Sequence, residues 1–208
     1  NDLTLSVGTN VWPGYEPFYL ARELGYYQNT GLQFVEYSST TQVLRAFRNN
    51  DIQVGAMTLD EVLQLSESGH SPRIILVNDI SDGADVSLAK PNLKNLTDLK
   101  GQRVGVENTA LGAYVITRAC QLSGLPLKEI AIVPSELDEH EGMFDRGEVD
   151  AIVTFEPVRT RLLAKGAKEL FNSSKIVGEI VDVVAIRSEV LEQRAQQVDA
   201  LLRGWFKA

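Results

Sequence analysis

The feature that most constrains the fold is a pattern that occurs twice in the chain, 97 positions apart. Ser6-Val7-Gly8 is matched by Arg103-Val104-Gly105. At the same offset, Phe47-x-x-x-Asp51-Ile52 is matched by Phe144-x-x-x-Glu148-Val149, and each leads into a further apolar run. Two separate matches at one offset predict two similar lobes, each of which begins with a strand, a loop and a helix.

Short apolar runs alternate with longer segments of helical period along the whole chain. The strand-like runs are Leu3–Val7, Leu32–Glu36, Ile52–Met57, Arg73–Val77, Asp85–Ala89, Arg103–Val106, Ile130–Val133, Ala151–Thr154 and Ile180–Ile186. The helix-like runs are Glu16–Leu24, Thr41–Asn49, Leu59–Ser66, Leu111–Leu122, Glu139–Arg146, Pro157–Ala164 and Val198–Phe206. Because this alternation is typical of βαβ units, we predict an α/β fold with a mostly parallel sheet flanked by helices in each lobe.

The chain is expected to cross between the lobes twice. Glycine and proline punctuate the first crossing, at Ser81-Asp82-Gly83-Ala84 and Lys90-Pro91-Asn92. The second crossing is expected near Val181–Ile186, where the pattern becomes strand-like again. The predicted lobes are residues 1–83 with 185–208, and residues 84–184. Such connectors form a hinge, and the ligands of open α/β sheets bind at the carboxyl ends of the strands, here in the cleft between the lobes.

Composition excludes several classes of protein. The net charge is −8 and Lys and Arg form no cluster, whereas nucleic-acid binding requires a basic face. No apolar run reaches the ~18 to 20 residues of a membrane span. The single cysteine, Cys120, excludes an intrachain disulfide and a cysteine-based metal cage, and its helical surroundings predict a buried apolar thiol.

Three stretches resemble the nitrate/taurine/alkanesulfonate family of periplasmic solute-binding proteins, which includes thiamine-pyrimidine-like binders. They are Val11-Trp12-Pro13-Gly14-Tyr15-Glu16-Pro17-Phe18-Tyr19-Leu20-Ala21 with Gly25-Tyr26-Tyr27, Leu96-x-Asp98-Leu99-Lys100-Gly101-x-x-Val104-Gly105-Val106, and Glu148-Val149-Asp150-Ala151 with Phe155-Glu156-Pro157. The resemblance implies the two-lobed type II periplasmic-binding fold and delivery of a solute to the membrane permease of an ABC importer. It also implies a location in the periplasm, or tethered to the outer face of the cytoplasmic membrane.

The ends of the chain are consistent with a processed or shortened form. The sequence opens at Asn1 without an initiator Met or an apolar leader, as in a mature exported protein or a trimmed chain. Family members usually continue beyond this length, and Ala208 interrupts a helix-like run. We therefore expect that the first lobe is incomplete at its C-terminal end.

Loops that follow the predicted strands are the candidate ligand contacts. The primary candidates are Trp12, Tyr15, Thr58, Asp85, Asn108, Thr109 and Glu156. The secondary candidates are Asn10, Ser39, Thr40, Asp60, Asp82, Leu111, Glu136 and Phe155. Trp12 and Tyr15 would stack on a planar or apolar ligand, and the alternative is a packed turn. Ser38–Thr41 and Asn108-Thr109 precede helices, so they either cap those helices or hold a polar ligand group there.

The charge of these loops predicts the ligand type. None of the segments Asn10–Tyr15, Ser38–Thr41, Met57–Asp60, Asp82–Asp85, Asn108–Leu111, Glu136–Glu141 and Phe155–Glu156 contains Lys or Arg. Carboxylates in or beside them include Glu16, Asp60, Asp82, Asp85, Glu107, Glu136 and Glu156, and the alternative for many of these is a solvent-facing cap. We therefore expect a neutral, zwitterionic or cationic organic ligand rather than a simple anion.

Motifs for metal binding and catalysis are weak or missing. Glu136-x-Asp138-Glu139-His140-Glu141 combines one His with acids, but it favours a helix capped at Asp138 over a metal site. Gly-x-Ser-x-Gly, the P-loop and Gly-x-Gly-x-x-Gly are absent from the sequence. We therefore predict a binding protein that is not an enzyme and that has no cofactor and no metal.

Two alternatives remain open from the sequence. The same module could sense a ligand for a signalling or regulatory protein, which a neighbouring membrane helix or helix-turn-helix would indicate. It could also be an enzyme on this fold, similar to a pyrimidine synthase or a menaquinone-pathway lyase, which turnover of a bound compound would reveal.

Overall fold

A computed structural model describes residues 4–208 of the chain. Its strands are β1 (Leu5–Asn10), β2 (Leu32–Tyr37), β3 (Val54–Thr58), β4 (Pro72–Ile80), β5 (Val86–Ala89), β6 (Arg103–Glu107), β7 (Ala131–Ser135), β8 (Ala151–Thr154), β9 (Lys168–Asn172) and β10 (Val181–Arg187). Its α-helices are α1 (Glu16–Glu23), α2 (Thr40–Asn49), α3 (Leu59–Glu67), α4 (Ala110–Ser123), α5 (Leu137–Asp145), α6 (Val158–Ala164), α7 (Ser188–Leu191) and α8 (Ala195–Lys207).

Contacts divide the chain into two compact units. The first contains the described residues up to Asp79 together with Val181–Ala208, and the second is Ile80–Ile180. The boundaries expected from the sequence lie four residues further along the chain at both crossings. Each unit contains one five-stranded sheet flanked by helices, so the predicted α/β class is confirmed.

The sheet of the first unit has the strand order β2-β1-β3-β10-β4, and that of the second has the order β7-β6-β8-β5-β9. In each sheet the first three strands are parallel, while β10 joins β3 and β5 joins β8 in antiparallel orientation. The sheets are therefore mixed. β5 is the first strand of the second unit, and β10 is the first strand of the segment that returns to the first unit, so neither strand is part of a βαβ unit. A prediction based on βαβ units therefore gives the parallel pairing of the other strands but not the antiparallel pairing of these two.

The internal repeat is confirmed by strand register. Val7 of β1 pairs with Val54 of β3, and Val104 of β6 pairs with Ala151 of β8, which are positions 97 residues further along. The repeated phenylalanines, Phe47 and Phe144, are both buried. Residues 97 positions apart therefore occupy equivalent places in the pairing of β1 with β3 and of β6 with β8.

Helix packing encloses an apolar core in each unit. In the first unit, α2 and α3 contribute Phe47 and Leu65 to a buried cluster with Met57 of β3. In the second unit, Val115 of α4 and Leu162 of α6 are buried with Ile152 of β8. Burial of such side chains is the main source of stability of each unit. The only cysteine, Cys120, is buried in α4, as predicted.

Most element predictions are confirmed to within two or three residues, and Leu3, the first residue of one predicted strand, lies outside the described range. Two elements were not predicted. β9 is a short edge strand with charged residues at Lys168 and Glu169, so it lacks a clear alternation of apolar residues. α7 is a single turn, which is too short to show helical periodicity.

Candidate functional site

The candidate residues of the first unit gather where its parallel strands end. Asn10 is the last residue of β1, Thr58 is the last residue of β3, and Ser39 and Thr40 follow β2. All four are buried. Since the carboxyl ends of neighbouring parallel strands lie at one edge of a sheet, the fold brings these polar residues to the edge at which α/β proteins bind ligands.

The turn after β1 is anchored by its two aromatic residues. The indole Nε1 of Trp12 donates a hydrogen bond to Asp79 over 3.0 Å, and the hydroxyl of Tyr15 donates one to Asp182 over 2.7 Å. Trp12 is 7% exposed and Tyr15 is 2% exposed. Burial, and next the charge of Asp182, raise the pKa of Tyr15 well above its usual value. These contacts are those of a packed turn, and ligand stacking by the two rings stays a prediction.

Helix starts account for several other candidates in this unit. Ser39 is the N-cap of α2, and its side chain accepts a hydrogen bond from the backbone N–H of Gln42 at 3.2 Å. The hydroxyl of Thr58 donates to the carboxylate of Asp60 at the start of α3. Burial raises the pKa of Asp60, although this hydrogen bond lowers it in part. The capping alternative for Ser39 is confirmed, and ligand contact by these residues stays a prediction.

The second unit repeats the arrangement at the end of β6. Thr109 is the N-cap of α4 and accepts a hydrogen bond from the N–H of Gly112 at 3.2 Å. Glu107, the last residue of β6, and Leu111 in the first turn of α4 are buried, whereas Asn108 between them is exposed. Asn108 is therefore open to a ligand, while Thr109 has a structural partner.

A small cavity lies within the second unit, beneath the start of α4. Its volume is about 10 Å³, close to the space of one water molecule. The cavity is lined by Asp85, Glu107, Thr109, Leu111, Gly112, Val115, His140, Val153, Thr154 and Phe155. Four of these residues, Asp85, Thr109, Leu111 and Phe155, are candidates from the sequence, and the structure brings them together.

His140 of α5 is the most deeply buried titratable group of that cavity. It is 1% exposed, and its Nδ1 lies 3.0 Å from the hydroxyl oxygen of Thr154. Its other ring nitrogen, Nε2, is buried and has no hydrogen-bond partner. Burial lowers the pKa of His140 to about 4, so the ring is neutral at pH 7.

The start of α5 differs from the prediction. The helix begins at Leu137 with Glu136 as its N-cap, and a carboxylate oxygen of Glu139 accepts a hydrogen bond from the Glu136 N–H at 2.9 Å. The predicted N-cap at Asp138 is therefore wrong, and the helix begins two residues before the predicted start at Glu139. The run Glu-Leu-Asp-Glu offers several acceptable caps, and burial of Leu137 favours the earlier start. Within residues 4–208, no group of three or more His, Cys, Asp and Glu side chains has the geometry of a metal site.

Glu156 has partners that the sequence did not reveal. Its carboxylate accepts hydrogen bonds from Arg159 over 3.0 Å and from Thr160 over 2.9 Å, one turn into α6. Burial raises the pKa of Glu156, but these hydrogen bonds outweigh burial, and the net shift is downward. Arg159 also forms an ion pair with Glu169 of β9 over 2.9 Å. Asp82, another candidate, is exposed.

Four further residues contact the candidate residues or line the cavity although they were not among the predicted ligand contacts, and His140 was considered only as a metal ligand: Asp79, Asp182, His140 and Thr154. Each of them forms its hydrogen bond with a residue of a different strand, helix or turn. Asp182 bonds a residue 167 positions away, and no local pattern predicts such a pairing. The identical 97-residue offset was the one usable signal, because it places Thr154 of β8 in the strand equivalent to β3.

Two α/β units of this kind are the fold of periplasmic solute-binding proteins. The alkanesulfonate-binding protein SsuA from Xanthomonas axonopodis pv. citri, bound to MOPS, superimposes with a TM-score of 0.81 at 19% identity, covering 97% of this chain and 73% of that one. The nitrate-binding protein NrtA from Synechocystis PCC 6803 gives a TM-score of 0.81 at 13% identity, covering 99% of this chain and 60% of that one.

The chain belongs to the NMT1-like family, whose sequence pattern matches residues 1–208. A candidate binding protein from Brucella abortus (strain 2308) is 27% identical over 123 residues, which is 55% of this chain. The match spans 38% of that relative's length. The structural similarities, all at low identity, establish the fold. Among the described residues, α-helices that combine the length and apolarity of a membrane span were not found.

Proposed function

We propose that this protein is an extracytoplasmic solute-binding protein that captures a small organic molecule and delivers it to the membrane permease of an ABC importer. The observation that carries the proposal is that polar residues of both units collect at the carboxyl ends of their parallel strands, where α/β proteins bind ligands. Membership of the NMT1-like family and similarity to solute-binding folds support it. The protein acts in the periplasm or tethered at the outer face of the cytoplasmic membrane.

The ligand of this proposal is neutral, zwitterionic or cationic. The candidate loops contain no Lys or Arg, and the nearby cation Arg159 is engaged by Glu156 and Glu169. A simple anion would depend on helix N-terminal amides alone to offset its charge. The names of two similar structures refer to an alkanesulfonate and to nitrate, but those proteins are at most 19% identical and support the fold only.

The action of the protein is binding without covalent chemistry. A ligand that prefers one conformation of a protein shifts the population toward that conformation by its difference in affinity. Closure of the two lobes about a hinge stays a prediction from the sequence.

The first experiment is native mass spectrometry of the purified protein, followed by unfolding and identification of any released molecule. We expect an unmodified small molecule that carries no net negative charge. Chemical conversion of the released molecule by the protein would contradict a purely binding role and favour the enzyme alternative.

Ligand class is tested separately by isothermal titration with matched amines, alcohols, alkanesulfonates and nitrate at equal ionic strength. We expect amines or neutral compounds to bind and the anions to show no heat. Tight binding of nitrate or an alkanesulfonate would contradict the ligand class while leaving the binding role intact.

A further inference from the structure

The repeat shows which residues of the two units correspond at the start of their first helices. Trp12 precedes the 3-10 turn Pro13–Tyr15 that leads into α1, and Thr109, 97 positions later, is the N-cap of α4. Tyr15 therefore corresponds to Gly112. The first unit has a large aromatic side chain at this place, and the second has none.

The carboxylate that meets this position also has a counterpart. Asp182 lies opposite Thr58 in the antiparallel pairing of β10 with β3, and it accepts the hydrogen bond of Tyr15. In the second unit, Val86 lies opposite Thr154, so Asp85 is the residue that continues this pairing beside Phe155. Asp85 is thus placed as Asp182 is, but it faces a position without a phenol.

The space at that position is the cavity of about 10 Å³, which Asp85, Gly112 and His140 line. Gly112 cannot carry a side chain, since a Cβ there would lie 2.2 Å from the carbonyl oxygen of Glu107. The chain itself therefore cannot fill the cavity from α4. An independent observation indicates a missing occupant: Nε2 of His140, 1% exposed, has no hydrogen-bond partner.

The charges around the cavity define what it can hold. Asp85 and Glu107 are 3% and 4% exposed, and no Lys or Arg lines the cavity. Buried carboxylates are stabilised by hydrogen-bond donors, most strongly by charged ones. A protonated nitrogen is similar in size to a water molecule and carries several donors, whereas a carboxylate, sulfonate or nitrate carries none.

We propose that this cavity receives a single protonated nitrogen of the ligand, a primary ammonium group, which donates to Asp85 where Tyr15 donates to Asp182 in the other unit. His140 supplies a neutral ring nitrogen beside it, and Glu107 adds negative charge. This assignment rests on the proposed function, because it identifies the ligand group that the second unit recognises.

The test uses the two histidines of the chain as local probes. The protein is labelled with ¹⁵N in the histidine rings and titrated at pH 7 with methylammonium chloride, with tetramethylammonium chloride and sodium chloride as controls. We expect the ring signal of His140 to shift saturably with methylammonium only. The signal of His70, which follows the end of α3, stays unchanged and serves as the internal control.

Matched variants localise the effect. We expect Asp85→Asn to weaken the methylammonium response by about tenfold or more, since a charged acceptor is lost. Asp145→Asn, a change of an exposed acid at the last residue of α5, leaves the response unchanged. If Asp85→Asn does not fold, Glu107→Gln is titrated in the same way and should weaken the response.

Three results would overturn the assignment: no His140 response to methylammonium, an equal response to tetramethylammonium, or a full response in both Asp85→Asn and Glu107→Gln. If the cavity holds only a buried water beside the His140 ring, the ring signal will not respond to methylammonium, which is the first of these results. If native mass spectrometry then finds a bound solute without a protonated nitrogen, the proposed function stands and only this assignment falls.

Discussion

The two units share a frame but differ in how they treat the end of their first strand. In the first unit, the side chains of Trp12 and Tyr15 occupy this region and bond Asp79 and Asp182. In the second unit, the equivalent positions hold Thr109 and Gly112, and a small cavity remains. A repeated backbone register therefore places equivalent positions in both units, while a few side chains decide whether the chain fills the space there or leaves a cavity.

The greatest loss of stability is expected from variants of the two repeated phenylalanines, which test whether the units have equivalent cores. Phe47→Ala and Phe144→Ala change repeated positions that are 1% and 8% exposed. Each should lower the free energy of unfolding by about 3–5 kcal/mol, with the larger loss for the more deeply buried Phe47. Denaturant unfolding measures both, and the conservative Phe→Leu changes are the controls. If Phe144→Ala leaves the free energy of unfolding nearly unchanged, the two units are equivalent in their backbones but not in their cores.

The next prediction concerns the phenol that the second unit lacks. Tyr15→Phe removes a donor to a buried carboxylate, so it should lower the free energy of unfolding by about 2–3 kcal/mol. The control is Tyr27→Phe in the same unit, which removes a hydrogen bond to the neutral carbonyl of Leu201 at 3.1 Å and should cost about 1 kcal/mol. Equal costs for the two variants would contradict a special role of the Tyr15–Asp182 pair.

The third prediction uses the buried ring of the second unit. The pKa of His140 is about 4 in the folded protein, below its usual value of 6.5, so the unfolded chain binds the proton more readily. The contribution of neutral His140 to the free energy of unfolding is therefore fully present above pH 6.5 and is lost as the pH decreases toward 4. The free energy of unfolding should fall by roughly 2 kcal/mol between pH 7 and pH 5 for this reason.

Chemical unfolding at pH 7 and pH 5 checks this, with His140→Gln as the variant that should lose this part of the pH dependence. His70→Gln is the matched control and should keep it. A pH dependence that is unchanged in His140→Gln would show that other groups are responsible.

The smallest loss of stability is expected when the helix cap of either unit is removed. Ser39→Ala and Thr109→Ala each remove a side chain that accepts a backbone N–H at a helix start, so each should cost about 1 kcal/mol. The exchanges Ser39→Thr and Thr109→Ser keep the cap and should change stability by only a few tenths of a kcal/mol. A much larger loss for Thr109→Ala would show that the cavity beneath α4 also depends on this residue.

The order of strands and helices and their division into two similar units could be predicted from the sequence. The 97-residue offset, visible at Val7 and Val104, predicted two similar lobes, and the strand register confirms it. The caps at Ser39 and Thr109 and the buried Cys120 were also predictable. These features depend on residues close together in the chain or on periodicity, so the sequence carries them directly.

The pairing of polar side chains, in contrast, became visible only in the folded chain. Asp182 reaches Tyr15, Asp79 reaches Trp12, and Nδ1 of His140 lies beside Thr154, each through the packing of separate elements. Which carboxylates are buried, and that Gly112 leaves space beside Asp85, follow from the same packing. The physical reason is that local sequence patterns specify strands, helices and caps, whereas a site's charge and hydrogen bonding depend on long-range contacts that no local pattern contains.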